Sequence, residues 1–284
     1  MSILLGLGAA LTYGAADFFG GLVTKRTSAV SVVIGSQVCG SALLLAALPF
    51  FRDAPLRATS LGWGAGAGVA GGIGVLFLYK GLAAGRMSVV APVTGVVAAS
   101  VPVLAGLLLG ERPSLAALVG VVVALIAVAL VSSSPRHESE DVGGESHPEH
   151  SGLPEALVAG ASFGAFFILL SFAGDDTGLW PLIGARCASL SFMVGVALAS
   201  RESVRPVAGT WTLVALAGVL DVGANVLYLV ATRSGLLSLV AVLTSMYPGA
   251  TVVLARIVLS ERLHRVQLVG LGCAALGVAL IAAG

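Results

Sequence analysis

Charge is what this chain has least of. Its 284 residues carry 15 Lys and Arg against 14 Asp and Glu, so 10% of the chain is charged and the net charge is +1. A soluble domain carries roughly 25% charged residues to cover its surface. No basic stretch is long enough to track phosphates, which excludes a nucleic-acid binder. Phosphate-cradling glycine loops, Ser-His-Asp arrangements and His-Glu-x-x-His patterns are also missing, so no soluble enzyme chemistry is signalled. The three cysteines, Cys39, Cys187 and Cys273, are odd in number and lie in apolar runs, which is not a disulfide framework. Nothing basic precedes the first apolar run, which therefore reads as a span and not as a cleavable signal.

Apolar residues are abundant instead. They make up 57% of the chain, and mean hydropathy is +1.03. The 38 glycines compare with roughly 20 at average usage, and small residues let membrane helices approach closely. A bilayer core needs about 20 apolar residues per helix. Such runs fall at Ser2–Val23, Ala29–Pro49, Ser60–Ala84, Met87–Leu109, Ser114–Ser132, Pro154–Phe172, Gly178–Ser200, Thr210–Thr232, Gly235–Val258 and Leu263–Ala283. About ten transmembrane helices follow, an all-α membrane protein, because barrel strands would alternate apolar with polar residues. Trp63, Trp180 and Trp211 lie near run ends and read as interfacial anchors.

The one long hydrophilic stretch, residues 133–153, is rich in Ser, Pro, Gly and acids and reads as a flexible linker. Its His137, His147 and His150 match no closed metal site and read as solvated. The linker separates a first unit, 1–132, from a second, 154–284. An offset of 150 places Glu111-Arg112 on Glu261-Arg262 and Leu118-Val119-Gly120 on Leu268-Val269-Gly270. Between Gly85 and Leu130 about 18 of roughly 46 positions are identical without gaps. Ile34-Gly35 falls on Ile183-Gly184 at an offset one shorter. Five spans in each half would make the second half enter the membrane upside down, giving an inverted repeat.

The stretch from Tyr79 to Val131 resembles the signature half of EamA-type transporters in the drug/metabolite transporter superfamily. The resemblance rests on Tyr79 before a small-residue turn, Val90-Ala91-Pro92, Pro102, Gly110-Glu111-Arg112 and the glycine-containing span that follows. The second half keeps Ser260-Glu261-Arg262 but moves its proline to Pro248. Leu11-Thr12-Tyr13-Gly14 stands where many relatives carry a Trp-Gly pair. The resemblance implies a carrier in the cell membrane for a small metabolite, an amino acid or a related compound, with export favoured. It also implies both termini in the cytoplasm, although Lys and Arg are denser on the opposite loops.

Asp221 is the costliest residue: an ionised Asp mid-span costs on the order of 2.5–3.5 kcal/mol on insertion scales. Asn225 and Tyr228 follow at four and seven positions and share its helix face. Such a stripe must meet a cavity or a partner helix. Asp17, with Tyr13 one turn earlier, is a second deep carboxylate. Arg186 lies well inside its span, its counterpart in the first half is Gln37, and its planar fork suits a carboxylate. An ion pair of Arg186 with Asp17 or Asp221 is the structural alternative. Asp17 falls on Phe167 and Asp221 on Gly71, so both carboxylates lack a counterpart, as expected of substrate chemistry and not of shared scaffold. Pro92, Pro102 and Pro248 free the carbonyls of Ser88, Ala98 and Thr244. Thr244 and Pro248 share a face, so the fourth and ninth spans are expected to wall the cavity. The substrate-binding set is then Asp221, Asn225, Tyr228, Arg186, Gln37, Asp17, Tyr13, Thr244, Pro248 and Pro92.

The expected partners are a small-molecule substrate, protons as a candidate coupling ion, and lipid, with no cofactor implied. A small-cation or drug antiporter of the same superfamily is the main rival, and Arg186 weighs against it. An intramembrane lipid-modifying enzyme would cluster its acids and histidines at one interface, whereas the deep acids here stand singly.

Overall fold

Apolar runs fold as helix because lipid offers no partner to backbone N–H and C=O groups, which must then bond within the segment. In the computed structural model the described residues are 1–24, 26–51, 55–84, 87–132, 152–174, 176–258 and 265–283. They form α1 (Ser2–Thr24), α2 (Ala29–Ala47), α3 (Ala58–Ala84), α4 (Met87–Leu108), α5 (Leu115–Ser132), α6 (Leu153–Ser171), α7 (Trp180–Ser200), α8 (Trp211–Thr232), α9 (Leu237–Thr244), α10 (Tyr247–Val258) and α11 (Arg265–Ala283). Among the described residues six helices are long and apolar enough to span a bilayer. Their outer faces carry exposed Leu4, Leu108, Leu115, Leu198 and Ile257, as expected of a surface solvated by acyl chains. The chain is an integral membrane protein, all helical among the described residues. Most of the 133–153 linker, its three histidines, and Glu261-Arg262 lie outside those residues.

One expectation needs correction. The ninth run is not one helix: it breaks at Ser245-Met246, leaving the eight-residue α9 and the twelve-residue α10. The cause is Pro248, which cannot donate to Thr244 and whose ring would crowd that carbonyl. The chain instead tightens, with Met246 N–H donating to Leu243 O at 3.3 Å and Gly249 N–H to Met246 O at 2.9 Å. The related α4, with its prolines at Pro92 and Pro102, stays continuous.

The two halves pack mainly on each other. The principal neighbours are α5 with α11, α1 with α8, α3 with α6, α3 with α7, α2 with α8 and α4 with α6. Exchanging every span with the one five later leaves this set nearly unchanged: α1·α8 becomes α6·α3, and α2·α8 becomes α7·α3. Glycines set the spacing. A Cβ on Gly68 would lie 2.7 Å from the Ala185 Cα of α7, and one on Gly218 would lie 2.8 Å from the Ser36 carbonyl carbon of α2. Gly68 and Gly218 are equivalent at the repeat offset, so one close approach is made twice.

Candidate functional site

Between the halves lies a cavity of about 180 Å³, lined from α1, α2, α3, α6, α7, α8 and the first residue of α10. Its charged and amide side chains come from four helices, α1, α2, α7 and α8. Tyr13 and Asp17 project from α1, one turn apart, and Asp221 and Asn225 from the neighbouring α8, also one turn apart. Gln37 of α2 and Arg186 of α7 complete the set. The apolar part of the lining includes Val75 and Leu78 of α3 and Phe163, Phe166 and Phe167 of α6.

A hydrogen-bonded chain organises the polar wall. Arg186 Nη2 donates to Asp221 Oδ2 as an ion pair. The Asn225 amide donates to the Asp221 carbonyl at 2.6 Å, and the Tyr13 hydroxyl donates to Asn225 Oδ1 at 2.9 Å. The Arg186 side chain is 14% exposed and that of Asp221 36%, so the pair borders the chamber and is not sealed in the core. Gln37 Nε2 donates to Ser189 Oγ at 2.9 Å, while Gln37 Oε1 has no partner among the described residues. Asp17 faces the chamber with no ion-pair partner among the described residues. Among the described residues the chamber therefore holds one satisfied cation, its paired carboxylate and a second carboxylate without a counter-ion. Such a site can exchange its internal ion pair for contacts to a charged ligand.

Six of the ten sequence-derived candidates share this chamber: Tyr13, Asp17, Gln37, Arg186, Asp221 and Asn225. Tyr228 does not reach it. That side chain is fully buried and its hydroxyl donates to the Phe167 carbonyl at 2.9 Å, beneath the cavity floor. Thr244 is fully buried at the α9 end, its hydroxyl without a partner among the described residues. Pro248 stands in the first turn of α10, outside the lining, and its effect is to break the span. The side chain of Pro92 lies outside the described residues. Tyr247 lines the chamber because that break turns it inward, with its ring centroid 6.4 Å from that of Tyr13. The phenylalanines of α6 were readable from the repeat: Phe163 is the equivalent of Tyr13 and Phe167 of Asp17.

The Tyr13 hydroxyl holds the Asn225 amide but meets neither charge. Tyr13→Phe is expected to cost about 0.6 kcal/mol in stability, the mean for an interhelical hydrogen bond in membranes. Thermal unfolding in detergent checks this; a loss above about 2 kcal/mol would mean the bond props up the ion pair as well.

A helical membrane protein of two related halves around a central polar chamber is the class so defined. The model of the EamA-like transporter family matches residues 1–133 and 150–283, and the chain belongs to that family. Both halves are matched separately, so the protein is a two-repeat transporter of the drug/metabolite superfamily. A solved structure, titled only "Crystal structure of protein", is 19% identical with a TM-score of 0.76, covering 99% of this chain and 98% of that one. At that identity the likeness is one of fold. No curated protein matches the chain.

Proposed function

We propose that this transporter moves a zwitterionic metabolite, an amino acid or a close relative, across the plasma membrane by alternating access, in the export direction. The observation that carries the reading is the meeting of Arg186, Asp221 and Asp17 in one chamber between the halves. In this mechanism the substrate carboxylate takes over the Arg186 fork from Asp221, since a planar guanidinium binds two oxygens at once. Asp17 then receives the substrate's ammonium group, and the phenylalanine wall takes its side chain. Asp221, released from Arg186, can accept a proton, which would couple transport to a proton gradient.

Alternating access follows if the halves form an inverted repeat. The odd number of spans per half and the near two-fold pattern of helix neighbours support this relation. Binding at the interface of such repeats lets one half rock against the other around a fixed site.

The cation or drug antiporter remains the second reading, and the observation that favours it is Asp17, which has no ion-pair partner among the described residues. Uptake by purified protein in liposomes separates the two, using amino acids beside the amines that lack only their carboxylate. The zwitterions are expected to be carried at least tenfold faster, the value of one charge-assisted contact of about 1.5–3 kcal/mol. Equal or faster transport of the amines would transfer the assignment to the antiporter.

A further inference from the structure

The chamber is stopped at one end, and the repeat identifies which. Ser2 packs beside Gly235, Glu111 bonds Leu237, and Arg233 donates to the Gly178 carbonyl at 2.9 Å. These contacts gather the start of α1, the α4–α5 loop, the α6–α7 loop and the α8–α9 loop on one face, the terminus face. On that side Phe167, Leu170, Leu182 and Tyr228 pack with Leu237 and Val240 of α9 into a core cluster, and Leu170 and Tyr228 have no exposed surface. Phe167 and Leu182 still border the chamber, as do their repeat equivalents Asp17 and Val33, whereas Leu170 and Tyr228 do not, although their equivalents Gly20 and Leu78 do. The chamber thus extends toward the face where α5 ends and α6 begins, and the cluster plugs the terminus face.

What holds the plug is α9, and what holds α9 comes from the other half. The Glu111 carboxylate accepts from the Leu237 N–H at 2.6 Å through Oε1 and from the Ser238 N–H at 3.1 Å through Oε2. An anion suits a helix N-terminus, where free N–H groups and the dipole converge. Gly106 leaves room for that carboxylate, since a Cβ there would lie 2.8 Å from Glu111 Cδ. At its other end α9 stops at the Ser245-Met246 break. It is a short rod, clamped at one end and hinged at the other. Its hydroxyls are also out of place: Ser238 and Thr244, with Ser245 at the hinge, are buried without partners among the described residues, whereas Thr12, Ser100 and Thr232 donate back onto their own helices. Buried donors without partners raise the energy of this closed arrangement, and water reaching them when α9 moves would relieve it.

We infer that Glu111 is a positioning residue for transport: by clamping the N-terminus of α9 it holds the terminus face shut, and its release opens that face. This rests on the alternating-access reading above. The test reads the two faces separately in detergent, without added substrate, in a chain whose Cys39, Cys187 and Cys273 are changed to Ala. Leu170→Cys reports opening of the terminus face, and Leu78→Cys reports the chamber's open end. Glu111→Gln replaces one acceptor oxygen by a donor group and removes the charge. It is expected to raise the labelling rate at Leu170→Cys roughly tenfold, the shift expected when a charge-assisted cap is lost, and to lower the rate at Leu78→Cys. Unchanged rates, or a parallel rise at both sites, would overturn the proposal and leave Glu111 as a cap only. If Glu111→Gln does not accumulate, Gly106→Ala displaces the same carboxylate and must give the same reciprocal shift. Reciprocal labelling in a protein that carries nothing in liposomes would sink the transport reading while leaving the clamp in place.

Discussion

Asp221→Asn is expected to abolish gradient-driven accumulation of substrate, by at least tenfold, while exchange of labelled for unlabelled substrate continues. Asparagine keeps the size and one acceptor oxygen but can neither titrate nor bear charge. If Asp221 only glued helices, the change would cost about 0.6 kcal/mol and leave transport alone. The structure gives it a partner whose release matters, because Arg186 is both the counter-ion of Asp221 and the chamber's one cation among the described residues. Without the aspartate charge, Arg186 stands open to the substrate carboxylate in either state, so binding survives and coupling does not. Folding should survive as well. Breaking a sealed ion pair costs about 3–5 kcal/mol, but this pair borders the chamber with Asp221 36% exposed, which brings the cost nearer the roughly 1 kcal/mol of exposed pairs. Uptake and counterflow on the same liposomes, with melting temperature as control, check all three points. Loss of exchange together with accumulation would make Asp221 a substrate ligand.

The second large effect concerns stability. Gly68→Ala and Gly218→Ala should each destabilise the protein by about 1–3 kcal/mol, the usual cost of forcing a methyl into a packed contact. Each Cβ would meet backbone of a facing helix, which cannot swing aside as a long side chain can. Because the two sites are repeat equivalents, the costs should agree within about 1 kcal/mol. Gly62→Ala supplies the contrast: among the described residues nothing lies within 4 Å of its added Cβ, and alanine is about 1 kcal/mol better than glycine in a helix. Thermal unfolding of the three variants checks the order. A Gly218→Ala protein as stable as Gly62→Ala would contradict the close α2–α8 approach.

How much of this was legible beforehand divides along a physical line. Helix positions were readable because lipid forces long apolar runs to satisfy their backbone within themselves as helix. The deep charges were readable because they are costly in hydrocarbon, and Asp17, Arg186 and Asp221 do face one chamber. Depth along a span was not readable. Tyr228 has the periodicity of Asp221 and Asn225, yet it lies one turn beyond the floor, where Phe167 closes over it. The break in the ninth run was signalled by Pro248, but α4 carries its own prolines and remains whole, so proline alone does not decide. Glu111 looked like a shared loop residue. Its role came from a partner 126 positions away, the Leu237 N–H, which no local pattern encodes.

The central claim is that Arg186 receives the carboxylate of a zwitterionic substrate inside the chamber. Counterflow in liposomes, comparing wild type with Arg186→Gln, tests it most directly because exchange needs binding and alternation but no gradient. Wild type should exchange the amino acid, and Arg186→Gln should lose that exchange by at least tenfold, in line with one charge-assisted bond of about 1.5–3 kcal/mol. An Arg186→Gln protein that folds and exchanges the amino acid at the wild-type rate would contradict the account.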